Sequence, residues 1–194
     1  MTFGYMGASP GLMKLCMDNN VSLSFMTPQG RFICRVQGAT RGNVLLRKKQ
    51  YSLSEDENVA LHIAKLFISG KVFNTRSILQ RFIRYNGADE EVEKFIKQLD
   101  WRKKRILQAD NMEILRGEEG NAANAYFDVF DHLILHQKED FTFHGRNRRP
   151  PKDEVNAMLS FVYTLIANDV AAALESVGLD PYVGFLHTLR PGRT

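Results

Sequence analysis

Between residues 150 and 178 the chain carries one apolar stripe that leaves little freedom of fold. Val155, Leu159, Val162, Ile166, Val170, Ala173 and Val177 recur at three- and four-residue spacing. That period puts them on one side of an α-helix roughly seven turns long. The spacing predicts a single buried face on a helix opened by Pro150-Pro151 and stopped at Gly178, where the missing side chain suits a C-terminal cap. A chain built around such an element is expected to be mainly α.

The same reading extends back to Gly42. Val44, Leu45, Arg47 and Lys48 begin a basic helix, Val59, Ile63, Leu66 and Phe67 mark a second, and Val92, Phe95, Ile96, Leu99 and Ile106 mark a third. A fourth is predicted over residues 112–135. Asp89-Glu90-Glu91 opens the third helix and Arg102-Lys103-Lys104-Arg105 stands near its end, so both charge runs complement the helix dipole, an explanation of the basic run favoured over a nucleic-acid contact.

Upstream the period changes. Ser9-Pro10 reads as an N-cap followed by a first-turn proline, opening a short helix that ends near Asp18. Val21, Leu23 and Phe25 then alternate with Ser22, Ser24 and Met26, Thr27-Pro28-Gln29-Gly30 makes a turn, and residues 32–36 pair back as a hairpin. One hairpin is marginal alone, so strands that should precede it are expected to be missing. The domain boundary is placed at residues 37–42, where two glycines separate the helix and hairpin of residues 1–41 from the helices of residues 42–194.

With 194 residues, 44% of them hydrophobic, the chain can bury a core. Its apolar runs, such as residues 159–166, are interrupted by Ser160, Tyr163 and Thr164 and fall short of the ~20 residues needed to cross a bilayer, so no membrane span is expected. The first ten residues lack the charged start and apolar stretch of a signal peptide, which predicts a cytoplasmic location. Cys16 and Cys34 form neither a CxxC pair nor a disulfide framework and are expected to be reduced, buried thiols. The net charge of +4 is modest but unevenly spread. Residues 1–51 hold seven basic side chains against one acid, and Arg146, Arg148, Arg149 and Lys152 form a second cluster. Such clusters suit phosphate binding, and a solvated basic surface accounts for them equally.

The candidate chemistry is sparse. Glu119 is flanked by Gly117, Gly120, Ala122, Ala123 and Ala125. Glycines within a helical pattern cost ~1 kcal/mol each relative to Ala and so point to a packing or functional demand. Either a ligand comes close there, or another helix crosses tightly with Glu118 and Glu119 exposed beside it. His187 follows the apolar Val183-Gly184-Phe185-Leu186, a setting for a satisfied core histidine or for a neutral imidazole that binds a divalent metal. His132 and His136 have i, i+4 spacing with Asp128 one turn earlier, which permits a metal site, although Leu133 stands where the zinc-protease pattern has Glu. Asn156 and Tyr163 lie two turns apart on one face of the last helix, as mutually satisfied polar groups or as the wall of a pocket. There is no GxxxxGK[ST], GxGxxG or GxSxG, which disfavours NTP hydrolysis, dinucleotide chemistry and serine hydrolysis.

Four stretches taken together carry a family resemblance: Phe3-Gly4-Tyr5-Met6-Gly7-Ala8-Ser9-Pro10; Gly42-Asn43-Val44-Leu45-Leu46-Arg47; Leu115-Arg116-Gly117-Glu118-Glu119-Gly120; and Gly145-Arg146-Asn147-Arg148-Arg149-Pro150-Pro151 running into Val155-Asn156-Ala157 and residues 178–187. Over nearly its whole length the chain resembles the CRISPR-associated spacer integrase, the "Cas one" endonuclease family, and most of all the version that accompanies subtype C of the type I systems. The resemblance implies a helical catalytic domain preceded by the remnant of a small N-terminal β-domain that forms the homodimer. It also implies a partnership with the small "Cas two" protein, and insertion of spacer DNA into the CRISPR array with Mg²⁺ or Mn²⁺. By position, Glu119 and His187 match metal ligands, and Asn156 and Tyr163 match polar residues beside the metal. Arg146, Arg148, Arg149, Lys152, Arg190 and Arg193 are assigned to the approaching double-stranded DNA. The family's later acidic ligand has no counterpart before Thr194. The expectation is therefore a copy truncated at both ends with reduced or no activity, the alternative being a non-catalytic DNA-binding or dimer-partner fragment.

Overall fold

The computed structural model describes residues 1–38 and 43–187. Most of the expected linker, residues 39–42, and the candidates Arg190 and Arg193 lie outside the described residues. In chain order the elements are β1 (Thr2–Phe3), α1 (Pro10–Asp18), β2 (Leu23–Met26), β3 (Phe32–Val36), α2 (Val44–Glu55), α3 (Glu57–Asn86), α4 (Glu90–Gln108), α5 (Met112–Asp128), a 3-10 turn (Phe130–Leu133) and α6 (Glu154–Ser176). A mainly helical protein with a small sheet at its N-terminus is what the sequence predicts. The chain forms two compact units, one of Met1–Ser54 with Met158–Gly184 and the other of Glu55–Ala157 with residues 185–187.

In the first unit Ser9 caps α1, its hydroxyl accepting from Leu12 N at 3.2 Å. The hairpin forms as expected. β2 and β3 run antiparallel with Leu23 opposite Val36 and Phe25 opposite Cys34, and a bulge follows Phe25. β1 has no counterpart among the expected elements. Two residues long, it pairs parallel to β2 and gives the order β1-β2-β3. That leaves β3 at the edge. Cys34 on β3 is exposed and Cys16 on α1 only partly buried, and the expectation of two buried thiols is corrected. The hairpin turn closes through Gly30 at φ +78°, and a Cβ there would sit 2.4 Å from Phe161 of α6. Only glycine fits both the backbone and the ring. Behind the turn after α6, the Gln50 amide donates to the carbonyls of Asp180 (2.9 Å) and Val183 (3.0 Å) and accepts from Asp180 N–H (2.9 Å). A buried glutamine with its hydrogen bonds made thus ties that turn to α2.

α6 departs from expectation at both its start and its face. It begins at Glu154, after the two prolines, where Asp153 accepts from Asn156 N–H at 2.7 Å. It stops before Gly178, at φ +84°, as predicted. Val155 is buried, but Val162, Ile166, Val170 and Val177 are each about half exposed, so the apolar stripe is not the buried face that its period suggests. Periodicity specifies which residues share a face and not what covers it. By length and composition alone α6 is apolar enough to cross a membrane, with a mean hydropathy of 1.6 over its best 18-residue window, a measure that helices of soluble proteins also meet.

The second unit is built on α3, α4 and α5, capped by the side chains of Asp56, Asp89 and Asn111 respectively. Ile68, Val72, Leu79, Val92, Leu99, Ile106, Leu115, Ala122 and Val129 form its core. The predicted fourth helix ends at Asp128 instead of continuing to 135. Val129 is buried, the chain tightens into the 3-10 turn, and Phe127, Phe130 and Phe143 pack against one another, the last two with ring centroids 4.9 Å apart.

Candidate metal centre

α5 turns Leu115, Glu118, Ala122 and Ala125 toward the interior. Glu118 therefore occupies a core position, 5% exposed, where an unpaired carboxylate would be untenable. Two arginines of α4 neutralise it: Arg105 Nε lies 2.6 Å from Oε1 and Arg102 Nη1 lies 3.3 Å from Oε2. Both guanidinium groups also flank Trp101, at 4.8 Å for Arg105 and 5.8 Å for Arg102. The basic run of α4 thus does more than complement a dipole.

Glu119, one residue on, is turned away from the core and stays partly accessible, ion-paired with Lys71 of α3. The glycines around it do not serve a tight crossing. A Cβ added at Gly117 or at Gly120 would meet nothing within 4 Å. No neighbour needs the missing side chains, and the packing explanation offered by the sequence is corrected.

His187 is exposed, so it is not a core histidine. Its neighbour Leu186 packs against the core, and the Leu186 carbonyl accepts from Arg116 Nε at 2.8 Å. Arg116 precedes Glu119 by three residues, ~4.5 Å along a helix axis, so the segment bearing His187 is pinned to the stretch of α5 that bears Glu119. A carboxylate and an imidazole are suitable donors for a divalent ion. No group of three His, Cys, Asp or Glu side chains gathers around a metal position among the described residues. The pair offers two ligands and leaves the remaining positions to water, phosphate oxygens or other donors. The alternative site at His132 and His136 does not form. α5 has ended before them, and His132 Nδ1 sits 2.7 Å from Asp89 Oδ2.

Asn156 is fully buried and its amide is saturated. Oδ1 accepts from Arg146 Nη1 (2.8 Å) and Asn147 N–H (3.0 Å), while Nδ2 donates to Gly145 O (2.9 Å) and Asp153 Oδ2 (2.7 Å). One side chain thereby sets the course of the loop ahead of α6. Burial pushes the Asp153 carboxyl up, but hydrogen bonds from the Asn156 side chain and backbone and from the Asn147 side chain outweigh it and hold the group below the usual carboxylate range. Arg146 is drawn inward by the same network and is half-buried, whereas Arg148, Arg149 and Lys152 are all exposed. Tyr163 is 52% exposed and belongs to the other unit, while Glu119, His187, Asn156 and the basic loop share one. Sequence reasoning missed Lys71, the structural role of Glu118 and Gln50. Only helical registry between α3, α4 and α5 brings Lys71 to Glu119 and the two arginines to Glu118, and no local pattern encodes it.

Fold and site define a mainly helical protein with a small N-terminal sheet, a partly accessible carboxylate on α5 and an exposed imidazole on the segment pinned to that helix. The family model described as CRISPR associated protein Cas1 matches residues 1–194, and the chain belongs to that family. It is 44% identical over 194 residues to CRISPR-associated endonuclease Cas1 1 of Chlorobaculum tepidum, covering 98% of this chain and 57% of the relative. It is 46% identical over 200 residues to CRISPR-associated endonuclease Cas1 2 of Rhodospirillum rubrum, covering 100% and 57%. The chain therefore spans a little over half the length of these curated relatives. Among solved structures it is similar to a Cas1 protein from Thermotoga maritima, with TM-score 0.72 and 23% identity over 98% of this chain and 58% of that one. It is also similar to a casposase bound to an integration product, with TM-score 0.75 and 25% identity over 96% and 51%. A third likeness is to a chain of a Cas6-RT-Cas1–Cas2 complex, with TM-score 0.73 and 22% identity over 97% and 20%.

Proposed function

We propose that this chain forms the Glu119 and His187 part of a divalent-metal-dependent DNA endonuclease and integrase of CRISPR adaptation, acting on double-stranded DNA in the cytoplasm. On this reading it works as a homodimer with the Cas2 protein, and the system is of type I, subtype C. The observation that carries the reading is the Arg116 contact with the Leu186 carbonyl, which pins the segment bearing His187 to the stretch of α5 that bears the partly accessible Glu119.

In spacer joining, a DNA 3′-hydroxyl attacks a phosphodiester: a new P–O bond forms, an old one breaks, and the leaving oxygen takes up a proton. A bound Mg²⁺ or Mn²⁺ would polarise a phosphoryl oxygen and favour ionisation of the attacking hydroxyl. Glu119 and His187 would hold that ion, and Arg116 would position His187 through the Leu186 carbonyl. Asn156 would fix the loop that presents Arg148, Arg149 and Lys152 to backbone phosphates, with Arg146 bracing it from inside. Tyr163, Arg190 and Arg193 complete the assignment by family resemblance. The two-ligand count favours a second reading, a DNA-binding or dimer-partner segment without catalysis of its own.

The test is Mn²⁺-dependent cleavage and joining of a branched DNA by the 194-residue chain, by its Glu119→Ala variant, and by a copy with the further length that the relatives have. Activity lost in Glu119→Ala supports the first reading for this chain. Activity confined to the longer copy makes this segment a partial site. If both chains fold and bind DNA without reacting, the second reading replaces the first.

A further inference from the structure

α5 places two carboxylates side by side and gives them different counter-ions. Glu118 is buried and held by two arginines, whose planar forks are pre-organised and always charged. Glu119 is partly accessible and held by a lysine whose side chain is 54% exposed. A lysine ammonium is a mobile, strongly hydrated point charge on a flexible stem, and an exposed pair of this kind is weak. The first carboxylate is committed to the fold, whereas the second can exchange its partner.

We infer that Lys71 is the resident counter-ion of Glu119 and competes with the divalent ion for it, setting the metal affinity of the site. The inference rests on the reading of Glu119 as a metal ligand. Without metal, the ammonium keeps the carboxylate neutralised. An ion of twice the charge displaces it, and the flexible stem carries the ammonium aside with little loss of packing. Lys71 is on this account a positioning residue: it acts through Glu119 and takes no part in bond making.

The measurement is binding of Mn²⁺ alone, followed by the electron paramagnetic resonance of the free ion, with circular dichroism to establish that each variant is folded. Lys71→Met and Lys71→Gln remove the competing charge and are expected to bind Mn²⁺ about three- to five-fold more tightly, the ceiling that an exposed ion pair allows. Lys71→Arg, which restores a cation, is expected to stay at or below the parent affinity. Glu119→Gln is expected to weaken binding at least about ten-fold through loss of a ligand. If Glu119→Gln weakens binding while both neutral Lys71 variants match the parent or bind less tightly, the competition is refuted and the metal site stands. If Glu119→Gln leaves binding unchanged, the metal reading fails and the inference falls with it.

Discussion

Arg105 Nε lies 2.6 Å from Oε1 of Glu118, a carboxylate that is 5% exposed, and this contact separates the roles of two adjacent glutamates. Removing one member of a buried ion pair costs ~3–5 kcal/mol, and the partial exposure of Arg105 reduces the figure here to about 2 kcal/mol. Glu118→Ala is therefore expected to lower stability by about that amount in urea unfolding, and Glu119→Ala by less than about 0.5 kcal/mol. Equal losses would show that the two carboxylates are not divided in this way.

The hairpin of the first unit is expected to fail at Gly30. With φ at +78° and the Phe161 ring 2.4 Å from the position of a Cβ, Gly30→Ala adds backbone strain and overpacking that together cost about 2–3 kcal/mol. Phe161→Ala in the same chain removes the collision but not the strain. A double-mutant cycle is expected to return a coupling of about 1 kcal/mol, and a coupling near zero would mean that the ring does not rest on the turn.

Acid should act on the second unit through Asp89. Hydrogen bonding from His132, then from Val92 N–H, outweighs burial and holds this carboxyl below its ordinary range. A depressed folded-state value means that the contribution is fully present above the unfolded value, near 4, and is lost as pH falls through the folded value below it. Asp89→Asn preserves the helix cap but removes the charge. The stability gap between parent and variant, about 1 kcal/mol at pH 5, is expected to close as the pH is lowered through 4 and beyond. A gap that persists to about pH 2.5 would leave the cap, and not the charge, as its source.

On the proposed reading, the outward members of the loop matter more for DNA than the inward one. Each phosphate contact contributes ~0.9 to the slope of log affinity against log salt. Replacing Arg148, Arg149 and Lys152 together by alanine is expected to reduce the slope for duplex DNA by about 2–3, as read by fluorescence anisotropy. Arg146→Ala is expected to cost stability and to change the slope by less than about 1. An unchanged slope in the triple variant would remove this loop from the DNA surface.

Local chemistry makes much of the fold legible. Ser9-Pro10, Asp89 and Gly178 mark element ends by how each side chain, or its absence, meets the backbone, and the structure keeps all three. β1 escapes because two residues, Thr2 and Phe3, carry no period. The α6 stripe is one face, as its spacing says, but not a buried one, since covering is a property of neighbours. The same holds at the site. Glu119 stands out through its glycines, but nothing around Glu118 announces burial, because its arginines arrive from α4, 13 and 16 residues earlier.

The saturated amide of Asn156 makes one functional group the point of chemical failure for the basic loop. Hydrolysis of that amide to a carboxylate, whether by slow ageing or by an Asn156→Asp change in the gene, would leave the bonds from Arg146 and Asn147 in place while abolishing both donors. A new negative oxygen would then face Asp153 Oδ2 across 2.7 Å and the Gly145 carbonyl across 2.9 Å. An amino group exchanged for an oxygen, with almost no change of size, would thus turn the loop's anchor into a repulsion.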